Sequence, residues 1–160
     1  MKLYKCDNCG QPVFFENYYC VQCNASLGFD PVTMDILSLQ EAENENYTNI
    51  APKPNSSTYY YKYCVNKQHN VCNWLLPSDS PAAYCTACNL NKTIPDISQP
   101  DHWEKWARIE TAKHRLVYSL LRFQLPVISK FQNETTGIAF DFMADEQNDE
   151  GKRLLTGHDN

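Results

Sequence analysis

The sequence predicts an α+β chain. Two small cysteine-clasped β modules precede one amphipathic helix and the first strands of an incomplete α+β unit. Three observations carry this. The eight cysteines fall into two groups of four, within residues 6–23 and 64–88. One long stretch, residues 101 to about 125, repeats its apolar positions with helical period. The other patterned segments are short, aromatic or β-branched, and bounded by Pro, Asn and Gly.

Taken in order, residues 1–30 make the first module, 31–58 a linker, 59–97 the second module and 98–160 the helix with its strands. The linker assignment rests on residues 40–58, which are polar, acidic and Pro-containing, with few groups able to build a core. The second module is entered through Tyr59, Tyr60, Tyr61 and Tyr63, a β-prone run. Asp101 stands three residues before Glu104, a capping-box spacing. Trp103, Trp106, Ala107, Val117, Leu120 and Leu121 then share one helix side. Glu104, Arg108, Thr111, Arg115, Ser119 and Arg122 share the other, which reads as solvated, and Pro126 is expected to stop the helix. Residues 138–142 alternate like a strand, 145–151 read as an acidic turn, and 153–156 as the start of another strand. One helix and two strands are too few to close a core, so this last unit is expected to be incomplete.

The cysteine spacing is the most specific signal. Cys6, Cys9, Cys20 and Cys23 follow C-x2-C-x10-C-x2-C, and Cys64, Cys72, Cys85 and Cys88 follow C-x7-C-x12-C-x2-C. Two cysteines separated by two residues can aim both sulfurs at one ion, and two such pairs complete a tetrahedron. After a knuckle the chain often takes a positive φ, which Gly and Asn tolerate, and Gly10, Asn24 and Asn89 occupy those places. Two structural zinc ions in zinc-ribbon-like modules are therefore expected. Iron in a rubredoxin-like site is the chemical alternative, because four thiolates suit either metal. A disulfide framework fits less well, since residues 1–6 carry no apolar leader and a reducing, cytoplasmic setting is expected. His69 could replace a cysteine only if four thiolates did not already fill the site, and His114 reads as a packed histidine.

Charge and motifs narrow the function. The chain carries 14 Lys+Arg against 19 Asp+Glu, a formal net charge of −5. Two zinc sites, each −4 from sulfur and +2 from metal, take that −5 to −9. No segment is strongly basic, so nucleic acid is a disfavoured partner and a protein or peptide the favoured one. Apolar runs are only a few residues long, too short for a membrane span. The sequence contains no HExxH, and a cysteine nucleophile has no free thiol to draw on once both metal sites are filled. No catalytic residue is assigned.

One combination of segments is more specific than any knuckle. It comprises residues 6–17 with Cys20-Val21-Gln22-Cys23 and Leu27-Gly28-Phe29, then Tyr63-Cys64, Cys72-Asn73-Trp74-Leu75, Cys85-Thr86-Ala87-Cys88 and Asn91-Lys92-Thr93-Ile94-Pro95-Asp96. Ile138-Ala139-Phe140-Asp141-Phe142 and Leu155-Thr156-Gly157-His158 extend it. Together these resemble a bacterial family of zinc-binding metallopeptidases with an N-terminal zinc-ribbon region. The resemblance implies that the eight cysteines are structural ligands and that residues from about 101 begin a peptidase domain. It also implies a catalytic HExxH helix that this sequence does not contain, so the 160 residues alone are expected not to hydrolyse peptides. A free-standing zinc-ribbon adaptor for protein or nucleic acid is the competing expectation.

Overall fold

The computed structural model describes residues 2–52, 59–99 and 101–144. The acidic turn at 145–151 and the strand at 153–156 lie outside them.

A short ribbon opens the chain, β1 (Tyr4–Lys5) pairing antiparallel with β2 (Pro12–Val13). Five strands then form one antiparallel sheet in sequence order: β3 (Ser26–Asp30), β4 (Asp35–Glu41), β5 (Tyr47–Asn49), β6 (Tyr60–Tyr63) and β7 (Leu75–Pro77). The sheet curls until its first and last strands meet. Phe29 bridges to Trp74, and the Phe29 amide donates to the Asn73 carbonyl at 2.9 Å. Closing a curled sheet on itself hides edges that would otherwise template aggregation. The approach requires a residue without a Cβ, because one placed on Gly28 would stand 2.5 Å from Leu75 Cδ2.

Residues 31–58 are therefore not a plain linker: β4 and β5 are the second and third strands of the sheet. The acidic composition of residues 40–58 hid this. In β4 the run Ile36, Leu37, Ser38 and Leu39 is buried on both faces, as a strand inside a curled sheet must be. Ile36 faces the main core, while Leu37 and Leu39 join Leu75 on the opposite side.

The main core is shared. Phe15, Phe29, Trp74 and Tyr118 interlock, with ring centroids 4.9 Å apart for Phe15–Phe29, 4.7 Å for Phe29–Trp74 and 5.2 Å for Phe15–Tyr118. These rings come from the first module, the second module and the helix. Buried Asn73 adds polar ties, donating to the Phe15 and Asn17 carbonyls at 2.7 and 3.0 Å.

The helix, α1 (His102–Arg122), runs for 21 residues. Its start differs from the capping-box reading. Asp101 takes φ 65° and makes no side-chain cap, while Asp96 receives the Ser98 amide at 3.0 Å in the turn before it. Its end also differs. Gln124 adopts φ 56° and the Leu125 amide reaches back to the Leu120 carbonyl at 2.9 Å, a left-handed stop ahead of Pro126. Beyond the helix the chain returns as β9 (Phe140–Asp141), parallel to β8 (Asn91–Thr93). The strand expected over 138–142 is thus present but shorter.

Gly28→Ala should lower stability by about 1–3 kcal/mol through overpacking against Leu75. Denaturant midpoints of the two metal-loaded proteins check this, and equal midpoints would show that β3 and β7 can separate without cost.

Candidate metal centres

The fold gathers all eight predicted cysteines into two clusters. Cys6, Cys9, Cys20 and Cys23 form one and Cys64, Cys72, Cys85 and Cys88 the other, the sulfurs of each lying within 4.8 Å of one another. Adjacent sulfurs are 3.6 Å apart for Cys6–Cys23, 3.5 Å for Cys9–Cys20 and 3.7 Å for Cys72–Cys85. A disulfide is about 2.05 Å long. A tetrahedron with metal–sulfur bonds of about 2.3 Å has edges of about 3.8 Å, so the clusters fit a four-thiolate metal.

Local backbone explains the convergence. In all three CxxC knuckles the amide after the second cysteine bonds the carbonyl of the first. Gly10 does so to Cys6 and Asn24 to Cys20 at 2.8 Å, and Asn89 to Cys85 at 2.9 Å. Gly10 and Asn24 take positive φ as the spacing predicts. Asn89 does not, because its chain continues through a 3-10 turn over Cys88–Leu90 directly into β8.

The two clusters differ in environment. Cys9 is exposed and Cys23 half-buried, whereas all four sulfurs of the second cluster are buried. The Ala25 amide and the Asn8 side chain hold the Cys23 thiol down to about 6. In the second cluster, burial pushes the Cys72 and Cys85 thiols well above the ordinary value. Hydrogen bonds from Cys64, Cys72 and Cys85 hold Cys88 well below it. One thiolate is thus stabilised through its neighbours' protons, and making the rest anionic in so dry a site takes a cation. Backbone amides are already aimed at the sulfurs: Trp74 at Cys72, Cys85 at Cys64 and Cys88 at Cys85, each at 3.4 Å.

Each cluster leans on residues that spacing did not single out. Ser38, in the stretch read as linker, places its Oγ 3.3 Å from Cys6 Sγ while accepting the Asp7 amide at 2.9 Å. His114 is packed, as expected, but its Nε2 stands 3.6 Å from Cys88 Sγ. His69 lies outside both clusters, its ring edge against Trp106 at 5.9 Å.

The inward face of α1 holds a second surprise. Trp106 and Val117 are buried as predicted, but so are Glu110 and Lys113, while Trp103 is exposed. Glu110 pairs with Lys113 at 2.8 Å and accepts from Trp106 Nε1 at 3.1 Å and Asn91 Nδ2 at 2.5 Å. The outward face behaves as read from the sequence, with Glu104 and Arg108 paired in solvent at 2.5 Å. Glu110→Ala should lower stability by about 3–5 kcal/mol, since it strands a buried ammonium. Arg108→Ala should lower it by about 0.5 kcal/mol or less, because both partners are exposed. Urea melts of the two variants check the contrast, and similar losses would refute the burial argument.

Two four-sulfur clusters on β knuckles define a zinc-ribbon protein. Residues 3–99 match the family described as a zinc-ribbon domain, well over half the chain, and the chain belongs to that family. Residues 102–160, from the first residue of α1 onward, match a second family described as "Putative zinc-binding metallo-peptidase". Uncharacterized proteins of Mycobacterium bovis and Mycobacterium tuberculosis are each 29% identical over 160 residues, covering 100% of this chain. The chain spans 41% of their length. No solved structure matches it. The clusters and both families support zinc as the bound metal. Among the described residues no helix is long and apolar enough to cross a membrane.

Proposed function

We propose that this chain is the zinc-binding N-terminal region of a zinc-dependent metallopeptidase, with one structural zinc ion in each cluster. The observation that carries the reading is the shared core. Helix α1, which opens the metallopeptidase match, packs through Tyr118 against Phe15 and Phe29 of the first module and through His114 against Trp74 of the second. A region held this way serves as the base on which a peptidase domain is set. Bound zinc supplies fixed tetrahedral cross-links there, with no ligand position left for water or substrate. Amide hydrolysis is assigned to a site outside these 160 residues, and the thiolates call for a reducing compartment such as the cytoplasm.

The purified chain should contain two zinc ions and show eight thiols masked from alkylation until a chelator is added. Chelation should then melt the β signal in circular dichroism, because metal binding and folding are one equilibrium in modules this small. One zinc per chain, or unchanged dichroism after its removal, would refute the structural role. In the same proposal the chain alone hydrolyses no peptide and a protein spanning the relatives' full length does. Turnover by the 160 residues, confirmed against an inactivated preparation, would overturn that division of labour.

A specific feature favours the adaptor reading as second. A cleft of about 470 Å³ opens beside β5, β6 and β7, lined by Tyr59, Tyr60, Tyr61 and Pro77 and by Asp30 and Asp35. Aromatic and proline walls suit an extended peptide, whereas the carboxylates oppose a polyanion. The adaptor reading predicts peptide capture that weakens in Tyr60→Ala, and no oligonucleotide binding at low salt.

A further inference from the structure

We propose that His114 is a positioning residue that couples metal occupancy of the second cluster to the seating of α1. The inference rests on reading that cluster as a metal site, and it adds how the metal reaches the helix.

His114 is buried and faces acceptors on both sides. Its Nδ1 lies 2.7 Å from the Glu110 carbonyl oxygen, one turn earlier in α1, and its Nε2 lies 3.6 Å from Cys88 Sγ. The Trp74 ring packs against the imidazole in a T-shaped pair with centroids 5.4 Å apart. A sulfur bound to metal is a fixed thiolate, and a ring wedged between that sulfur and the Glu110 carbonyl ties the cluster to the helix backbone.

The neighbouring network points the same way. Asn91 follows Cys88 by three residues and is gripped from α1 on both ends of its amide. Its Nδ2 donates to Glu110, and its Oδ1 accepts from Lys113. Residues 88–91 are therefore held to one helix face at two points, the Cys88 sulfur and the Asn91 side chain. Cys88, Glu110 and His114 also lie within 4.8 Å of one another, in a geometry that could suggest a metal site of their own. The Lys113 ammonium, 2.8 Å from Glu110, already supplies the cation there. The trio acts as a strap instead.

Coupling of this kind is reciprocal. Metal in the cluster steadies the helix, and a seated helix holds the metal. The pairing would make the metal in the zinc-ribbon region a condition for the geometry of the residues that match the metallopeptidase family.

The test uses the zinc-loaded chain. Release to a chromogenic chelator should be biphasic, fast from the part-exposed first cluster and slow from the buried second. His114→Ala should accelerate the slow phase by about 10–100-fold and leave the fast phase unchanged, with His114→Gln in between because its amide can still donate to sulfur. With cobalt in place of zinc, His114→Ala should also shift the sulfur-to-metal charge-transfer bands, which a purely packing role would not do. A third arm needs no variant. In the wild-type chain, removing metal should speed amide exchange over residues 106–118. Unchanged slow-phase release in His114→Ala, or equal exchange with and without metal, overturns the strap while leaving the two-zinc reading intact. A wild-type second cluster that takes up no metal overturns both.

Discussion

Four buried sulfurs in one dry pocket are the constraint around which this structure is arranged. Thiols so placed do not ionise together without a cation, and thiols left neutral offer a poor reason to converge. The fold nevertheless brings four sulfurs to tetrahedral spacing twice, and in the second cluster aims three backbone amides at them. The short β1–β2 ribbon and the 3-10 turn at Cys88–Leu90 flank knuckles and lend Tyr4, Val13 and Leu90 to the main core. Six of the eight cysteines belong to the same buried core as Phe29 and Trp74, so the sulfur clusters organise that core together with apolar burial.

What was legible in the sequence was the part governed by local rules. Knuckle spacing paired six of the eight sulfurs, the positive φ at Gly10 and Asn24 followed from it, and helical period found α1. What was hidden depended on neighbours far along the chain. Residues 35–49 read as linker because Glu41, Glu43 and Glu45 dominate the composition, yet β4 is buried on both faces once β7 curls round to β3. Asp101 has a capping residue's identity but not its geometry, since the preceding Asp96 turn sets a left-handed entry. Helical period sets Glu110 and Lys113 on the same side as Trp106 and Val117, but their charge read as a place in solvent. Their burial makes sense only with Asn91, about twenty positions away, lying against the same helix face.

The contrast between the clusters has an electrostatic logic. With zinc bound, each four-thiolate site carries a net charge of about −2. Near the first cluster, water reaches Cys9 and screens that charge. The second cluster has no such recourse, because every sulfur is buried. Compensation must come from the protein, through the amides of Trp74, Cys85 and Cys88. The buried Glu110–Lys113 pair adds no net charge, so it does not oppose them. A helix with an all-apolar inner face would have filled the same volume but left the Asn91 amide without its partners. The polar residues on the inward side of α1 are thus explained by what they face. The same logic says why the helix that opens the metallopeptidase match cannot be treated apart from the zinc ribbons before it: Glu110 and Lys113 meet Asn91, and His114 meets Cys88, only when those ribbons are folded.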